Sequence, residues 1–359
     1  MKSLLKPTLN WLLPFIPIAV LLEHGYPEKH TFIFLSACVA IIPLAALLGR
    51  ATEGLAARIG EAWGGILNAT FGNAAELIIS IVALHAGQIQ IVKASLIGSL
   101  IGNVLLVLGA SFLAGGLKYP IQKFNLQGAK SQSIDFSIAA IALIIPAAFF
   151  GLGKEWMTAE TVNQLSVVIS VILITVYFLS MFFTLYTHRS FFSSVHHENT
   201  EEKHAVWSLK LSIFFLILSA ALIAWMSEIL VGSVTQAATA MGMSQVFVGV
   251  IIVAVVGNAA EHSTAIVMAL KNRLDLSLVI AIGSGIQIAL FVTPLLVILS
   301  FLLPLGKMDL IFGKGEILVV VLASYILNQI TEIGESTWYK GIQLLTVYSI
   351  MAVAFYLFK

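Results

Sequence analysis

Two glutamates, Glu76 and Glu261, each interrupt a long apolar stretch, and each closes the same five residues: Gly72-Asn73-Ala74-Ala75-Glu76 and Gly257-Asn258-Ala259-Ala260-Glu261. An ionised side chain at the centre of a membrane helix costs about 2.5 to 3.5 kcal/mol, so neither acid persists there without compensation. The Gly-Asn pair ahead of each acid is where a helix unwinds and turns carbonyl oxygens toward a cavity. Two carboxylates, two amides and carbonyl oxygens, without thiolates and with few imidazoles, suit a hard cation. Calcium leads because it accepts about six to eight oxygens in flexible geometry, with sodium and manganese behind. Burial favours the neutral carboxyl and a bound cation favours the ionised one. Cation and protons therefore exclude each other, which predicts a cation/proton antiporter whose two acids serve as ligands and proton carriers. The same spacing also fits a capping box, with Asn73 or Asn258 capping a half-helix while the acid three residues on reaches back. The two roles coexist, since a cap pre-orients a ligand.

The chain that must position these groups has 359 residues, 59% of them hydrophobic and 10% charged. Soluble domains carry about 25% charged residues, so this is an integral membrane protein. The net charge of +1 provides no basic field for nucleic acid. Cys38, the single cysteine, excludes internal disulfides and thiolate clusters. Lipid leaves helix as the spanning element, with about 20 apolar residues per crossing. Charge-free runs divided at Gly, Pro and amide-rich points predict eleven spans near 10–24, 30–59, 62–86, 90–117, 131–151, 161–187, 207–236, 244–270, 276–303, 315–331 and 340–358. The first resembles a secretory leader, but Pro14, Pro17, Glu23 and His24 leave no small-residue cleavage site, so it reads as an uncleaved span.

The five-residue motif recurs 185 residues later, and the register holds without a gap from Gly64 to Val107, pairing Gly98 with Gly283 and Ser99 with Ser284. Five spans separate the third and eighth, so the copies run in opposite directions, the arrangement of secondary transporters that rock around a site at the repeat interface. The chain divides into an extra N-terminal span at 1–29, a first half at 30–188, a polar linker at 189–206 and a second half at 207–359. The linker, with His196, His197 and Glu198 among its polar residues, reads as a solvated connector. With the N-terminus inside, twelve basic residues fall on the cytoplasmic side and six on the other, which predicts a cytoplasmic N-terminus in a cell membrane.

The paired signature, extended to Gly-Asn-Ala-Ala-Glu-His at 257–262, resembles that of the calcium/proton antiporters within the calcium/cation exchanger superfamily. The resemblance covers nearly the whole chain, including Leu-Asn-Ala-Thr-Phe at 67–71, Val-Phe-Val-Gly-Val-Ile at 246–251, Ile-Ala-Ile-Gly-Ser at 280–284 and Gly-Glu-Ser-Thr-Trp at 334–338. It implies an all-α fold of eleven spans, two inverted five-helix halves after an extra first helix. It also implies calcium as transported substrate, with no resident cofactor, and protons and the bilayer as partners; homo-oligomers stay open. By the same resemblance Glu76 and Glu261 match the central acids, and Asn73 and Asn258 the flanking amides. Ser99 and Ser284 match segments that face the ions from the fourth and ninth spans.

Asn103 lies one helical turn after Ser99 and shares its face. Its symmetric position is Ile288, with Gln287 one residue away, so the half-sites differ and a ligand role for Gln287 is in doubt. Packing through small and amide residues is the alternative for Ser99, Ser284, Asn103 and Gln287. Glu228 in the seventh span and His262 beside Glu261 are candidates for a proton pathway, with Gln287. Structural roles fit Glu228 and His262 as well. No His-Glu-x-x-His or Gly-x-Ser-x-Gly motif supports an intramembrane enzyme. A cation channel is the distant rival, and sodium coupling is the nearer one, countered by the scarcity of further acids.

Overall fold

The computed structural model describes residues 9–59, 64, 67, 70–152, 158–188 and 207–357. The predicted linker at 189–206 lies outside them. The helices in chain order are α1 (Phe15–Gly25), α2 (His30–Ile59), α3 (Ala74–His85), α4 (Ile89–Lys118), α5 (Leu126–Leu152) and α6 (Ala159–Thr187). They continue as α7 (Leu209–Ala240), α8 (Gln245–Gly257), α9 (Ala259–Leu270), α10 (Leu274–Leu302), α11 (Lys314–Ile330) and α12 (Trp338–Leu357). Seven of these, α2, α4 to α7, α10 and α12, are long and apolar enough to cross a membrane alone. An eighth span is the bent pair α8 and α9, which meet at 62°. The shorter α1, α3 and α11 occupy the first, third and tenth predicted spans.

Local sequence explains the helix ends. Thr158, Ser208 and Ser244 cap α6, α7 and α8 by accepting from the backbone N–H of Thr161, Leu211 and Phe247. Glu316 reaches back to the Gly313 N–H at 2.7 Å to start α11. Pro14 and Pro17 sit at the entrance and in the first turn of α1, where a missing N–H costs little. Several hydroxyls inside the spans bond back to their own helices, as Ser166 does to the Val162 carbonyl and Ser227 to that of Ile223, which pairs those donors inside oil.

The second half repeats the first in its core. α3 and α9 start 185 residues apart, as do α4 and α10. The turns that follow α3 and α9 contain Gly87 at φ 71° and Asn272 at φ 59°, again equivalent positions; Asn is the side-chain-bearing residue best suited to that left-handed conformation. The last turns of both short helices are tied down alike. The Leu84 carbonyl accepts from the Gly306 N–H at 3.2 Å, and the equivalent Ala269 carbonyl accepts from Gln122 Nε2 at 2.9 Å. α4 and α10 are the most enclosed of the long helices, together with α2, whereas α6 is the most open to its surroundings.

Two faces result. One, rich in basic residues, is pinned where β1 (Gln122–Lys123) pairs antiparallel with β2 (Glu335–Ser336) and Gln122 also donates to the Asn272 side chain at 3.0 Å. On the opposite face Lys93 joins Asp309 at 2.7 Å and the Ile311 carbonyl at 2.8 Å, which fastens the start of α4 to the loop after α10.

Candidate cation site at the crossing of the two repeats

Both signature motifs form helix breaks. Thr70 and Phe71 are helical, Gly72 and Asn73 form a turn, and α3 begins at Ala74. In the second copy Gly257 is still helical, the break is confined to Asn258 at φ −90° and ψ 3°, and α9 starts at once. The second copy is therefore bent and barely unwound. What Gly257 contributes is space: a Cβ there would stand 3.3 Å from both Cγ and Oε1 of Glu76, so the bare backbone lets the first half's acid cross to the second half's break.

Neither asparagine caps its helix with its side chain. The capping-box alternative therefore fails for both, because the amides are used across the molecule instead. Asn73 accepts from Ser284 Oγ at 3.1 Å and donates to Gln287 Oε1. Asn258 donates to Ser99 Oγ at 2.8 Å and to its own helix at Ala254 O. Asn103 donates to Ser284 Oγ at 3.0 Å and to Asn258 Oδ1 at 3.4 Å. Each half thus supplies an amide at its break that is held by a serine of the other half. Gln287 also stands in this network, serving Asn73 as Asn103 serves Asn258, while Ile288 is wholly buried. The physical reason lies in two widened, π-helical turns. One begins at Gly102, before Asn103, and the other at Ile288, after Gln287, so the helices differ in rotation by about one residue at these positions.

Glu76 is buried, and its carboxylate stands against Gly257, one helical turn before Glu261. Ser284 stands beside the Glu261 carboxylate. Two acceptor oxygens here, Glu261 Oε2 and Asn103 Oδ1, are buried without a hydrogen-bond partner among the described residues. Orphaned buried acceptors call for a donor or a cation. Two carboxylates with neutral amides and hydroxyls provide oxygen ligands whose charge one divalent cation or two protons balance. Among the described residues no group of three or more His, Cys, Asp or Glu side chains gathers as a metal cluster.

The other sequence candidates lie apart. His262 follows Glu261 directly, and its Nε2 is buried with no partner among the described residues. Glu228 is exposed on the wall of a cavity between α3 and α7. The π turns were invisible to residue counting, and so was the packing of the gates. A Cβ on Gly98 of α4 would fall 2.0 Å from the Val250 carbonyl oxygen, and one on Gly249 of α8 would fall 2.6 Å from Ala94 Cβ. α4 and α8 are thus closed backbone to backbone on the side opposite the basic face. At the repeat-equivalent positions, Gly283 has Gln132 Nε2 at 3.8 Å as its one near neighbour among the described residues, and Val279 is 40% exposed where its counterpart Ala94 is fully covered.

Residues 29–186 and 211–357 match the family described as sodium/calcium exchanger protein. The chain is 46% identical over 324 residues to the Ca(2+)/H(+) antiporter ChaA of Bacillus subtilis, covering 89% of this chain and 90% of that one. It is 41% identical over 362 residues to a Ca(2+)/H(+) antiporter of Aphanothece halophytica, covering 96% and 95%. The solved structure of native YfkE superposes with a TM-score of 0.84 at 40% identity, covering 98% of this chain and all of that one.

Proposed function

The chain belongs to the sodium/calcium exchanger protein family, and from that premise we propose that it exchanges calcium for protons as a secondary transporter working by alternating access. Relatives named as Ca(2+)/H(+) antiporters, similar along nearly their whole length, support calcium and protons as the exchanged pair. The observation that carries the assignment to particular residues is the crossing of the Glu76 side chain to the second helix break at Gly257, beside buried oxygens of Glu261 and Asn103 that none of the described residues satisfies.

In this reading calcium binds between the two carboxylates, assisted by oxygens from Asn73, Asn258, Ser99, Ser284 and Asn103, with backbone carbonyls near Gly72 and Gly257 close by. Two protons replace it when the site empties, because an unpaired carboxylate in a low-dielectric enclosure is far costlier than a neutral acid. Charge balance then permits movement only when one calcium or two protons are aboard. Gln287 holds Asn73 in place; His262 and Glu228 lie off the ligand set. The protein is a multi-pass membrane protein and carries out transport rather than covalent catalysis. We assign it to the cell membrane with its N-terminus and basic face cytoplasmic. Residues 30–188 and 207–359 form the two halves in this reading, and the exposure of Val279 beside the basic face supports a state open toward the cytoplasm.

Vesicles containing the purified protein, given an outward-directed proton gradient in the absence of sodium, test the reading. Calcium should accumulate beyond equilibrium, and both Glu76→Gln and Glu261→Gln should reduce uptake to background. Calcium accumulation only when sodium replaces the proton gradient would establish sodium coupling instead, and preference for manganese would change the cargo. Full activity in either Gln variant would remove the acids from the mechanism.

A further inference from the structure

The cavity between α3 and α7 has a volume of about 720 Å³, and Glu228 is the one acid among the described residues that line it. Glu228 lies twelve residues before the end of α7, ~18 Å of helix from the surface, within the depth of the bilayer. A carboxylate at that depth is tolerated where it faces water or a cation and not where it faces lipid. None of the described residues hydrogen-bonds or ion-pairs with it. Around it the wall presents the side chains of His85, Gln88, Thr235 and Gln236, and Leu305 closes one edge.

The mouth of this cavity is tied by a polar clasp. Thr235 Oγ1 accepts from Gln245 Nε2 at 3.2 Å and from Gln88 Nε2 at 3.5 Å, so the turn before α4, the end of α7 and the start of α8 meet at one hydroxyl. α8 is also the helix sealed against α4 on this face by Gly98 and Gly249. The cavity therefore sits at the seam that must part for a cation to enter from the side opposite the basic face. Its α3 wall, Ile81 and His85, is turned about 140 to 180° around the helix from Glu76, so α3 stands between the cavity and that carboxylate.

We infer that this cavity is a second, peripheral cation site, in which Glu228 and the surrounding amide and hydroxyl oxygens hold a largely hydrated calcium ion on the face opposite the basic one. One carboxylate is too few ligands for a dehydrated calcium ion, which takes about six to eight oxygens. The volume holds on the order of twenty waters at ~30 Å³ each, enough for a hydrated ion. Such a site binds weakly and raises the local cation concentration next to the closed seam. It rests on the reading of the protein as a calcium transporter and adds a side-specific residue to it.

Calcium flux in right-side-out and inside-out membrane vesicles separates the two. Glu228→Gln should raise the KM for calcium offered from the cavity's face about fivefold or more. For calcium offered from the basic face the KM should stay within about twofold, and Glu228→Asp should restore the cavity-side value. Equal KM changes on both faces, or none on either, would overturn the inference. Wild-type vesicles that exchange no calcium for protons would instead overturn the transport reading itself. If Glu228→Gln does not reach the membrane, Glu228→Cys on a Cys38→Ala background provides the second measurement. A membrane-impermeant cationic thiol reagent should label it from the cavity's face, and calcium should slow that labelling. No labelling, or labelling that calcium leaves unchanged, would overturn the inference equally.

Discussion

Asn103 donates two hydrogen bonds at once, to Ser284 and to Asn258, and so braces the amide and the hydroxyl that flank Glu261. Asn103→Leu takes one donor away from each of those buried oxygens, Ser284 Oγ and Asn258 Oδ1, and removes an acceptor from the cluster. Loss of a group that orients metal ligands typically costs ~10- to 100-fold in affinity. A rise of that size in the KM for calcium is expected for Asn103→Leu, and a similar rise for Gln287→Leu, which releases Asn73. Both are read in the same vesicle uptake assay. An unchanged KM in Gln287→Leu would leave that side chain as packing. The two acids, their preceding amides and the serines were all legible in the sequence, because a gap-free repeat brings out residues that pay a desolvation cost twice. The partner of Asn103 was not. Counting residues puts Ile288 opposite it, and only the different starts of the two π turns return Gln287 to the equivalent place.

At the scale of elements, the glycines of the two breaks and of the helix contacts act through what they omit. Gly98 lies so close to Val250 that a methyl group would meet backbone atoms at 2.0 and 2.6 Å, where no side-chain rotation relieves the overlap. Gly98→Ala should therefore destabilise this state by about 1 to 3 kcal/mol, seen as a lowered Tm in detergent. Gly283→Ala occupies the symmetric position with its nearest neighbour at 3.8 Å. It should keep or raise Tm, since Ala exceeds Gly in helix propensity by up to about 1 kcal/mol. Equal losses in the two variants would mean that the gates are not asymmetric. The broken helices were anticipated from Gly-Asn ahead of a buried acid, and the serine and threonine caps of α6 to α8 follow from local chemistry. Two details escaped. The side chains of Asn73 and Asn258 do not cap the helices that follow them: each is engaged by a serine of the opposite half, and Asn258 donates back to Ala254 O as well. Gly257 stays helical because the bend needs only Asn258 to leave the helical region.

For the whole molecule, one sequence folded twice in opposite directions has two ways to arrange its halves, and this structure holds one of them. α4 is closed against α8 at Gly98, whereas at the equivalent positions Val279 is exposed and Gly283 has no described neighbour nearer than 3.8 Å. Exchanging the two halves' roles would close the open contact and release the closed one without any new fold, the economy that inverted repeats offer a transporter. Helix count, repeat offset and membrane class were readable beforehand because they depend on hydropathy and spacing. Which gate is shut was not, because nearly equivalent sequences in the two halves encode both states and only packing distinguishes them. Single cysteines on a Cys38→Ala background read the difference directly. Val279→Cys should react with an impermeant thiol reagent from the basic face, whereas Ala94→Cys, at the equivalent covered position, should be protected from the opposite face. Under a proton gradient with calcium present, the protein samples both arrangements. Protection at Ala94→Cys should then fall while reactivity at Val279→Cys falls with it, since each molecule that opens one gate has shut the other. Reactivities that rise together would describe a pore open at both ends, and labelling that ignores the gradient would describe a rigid protein; either would exclude alternating access between these two contacts.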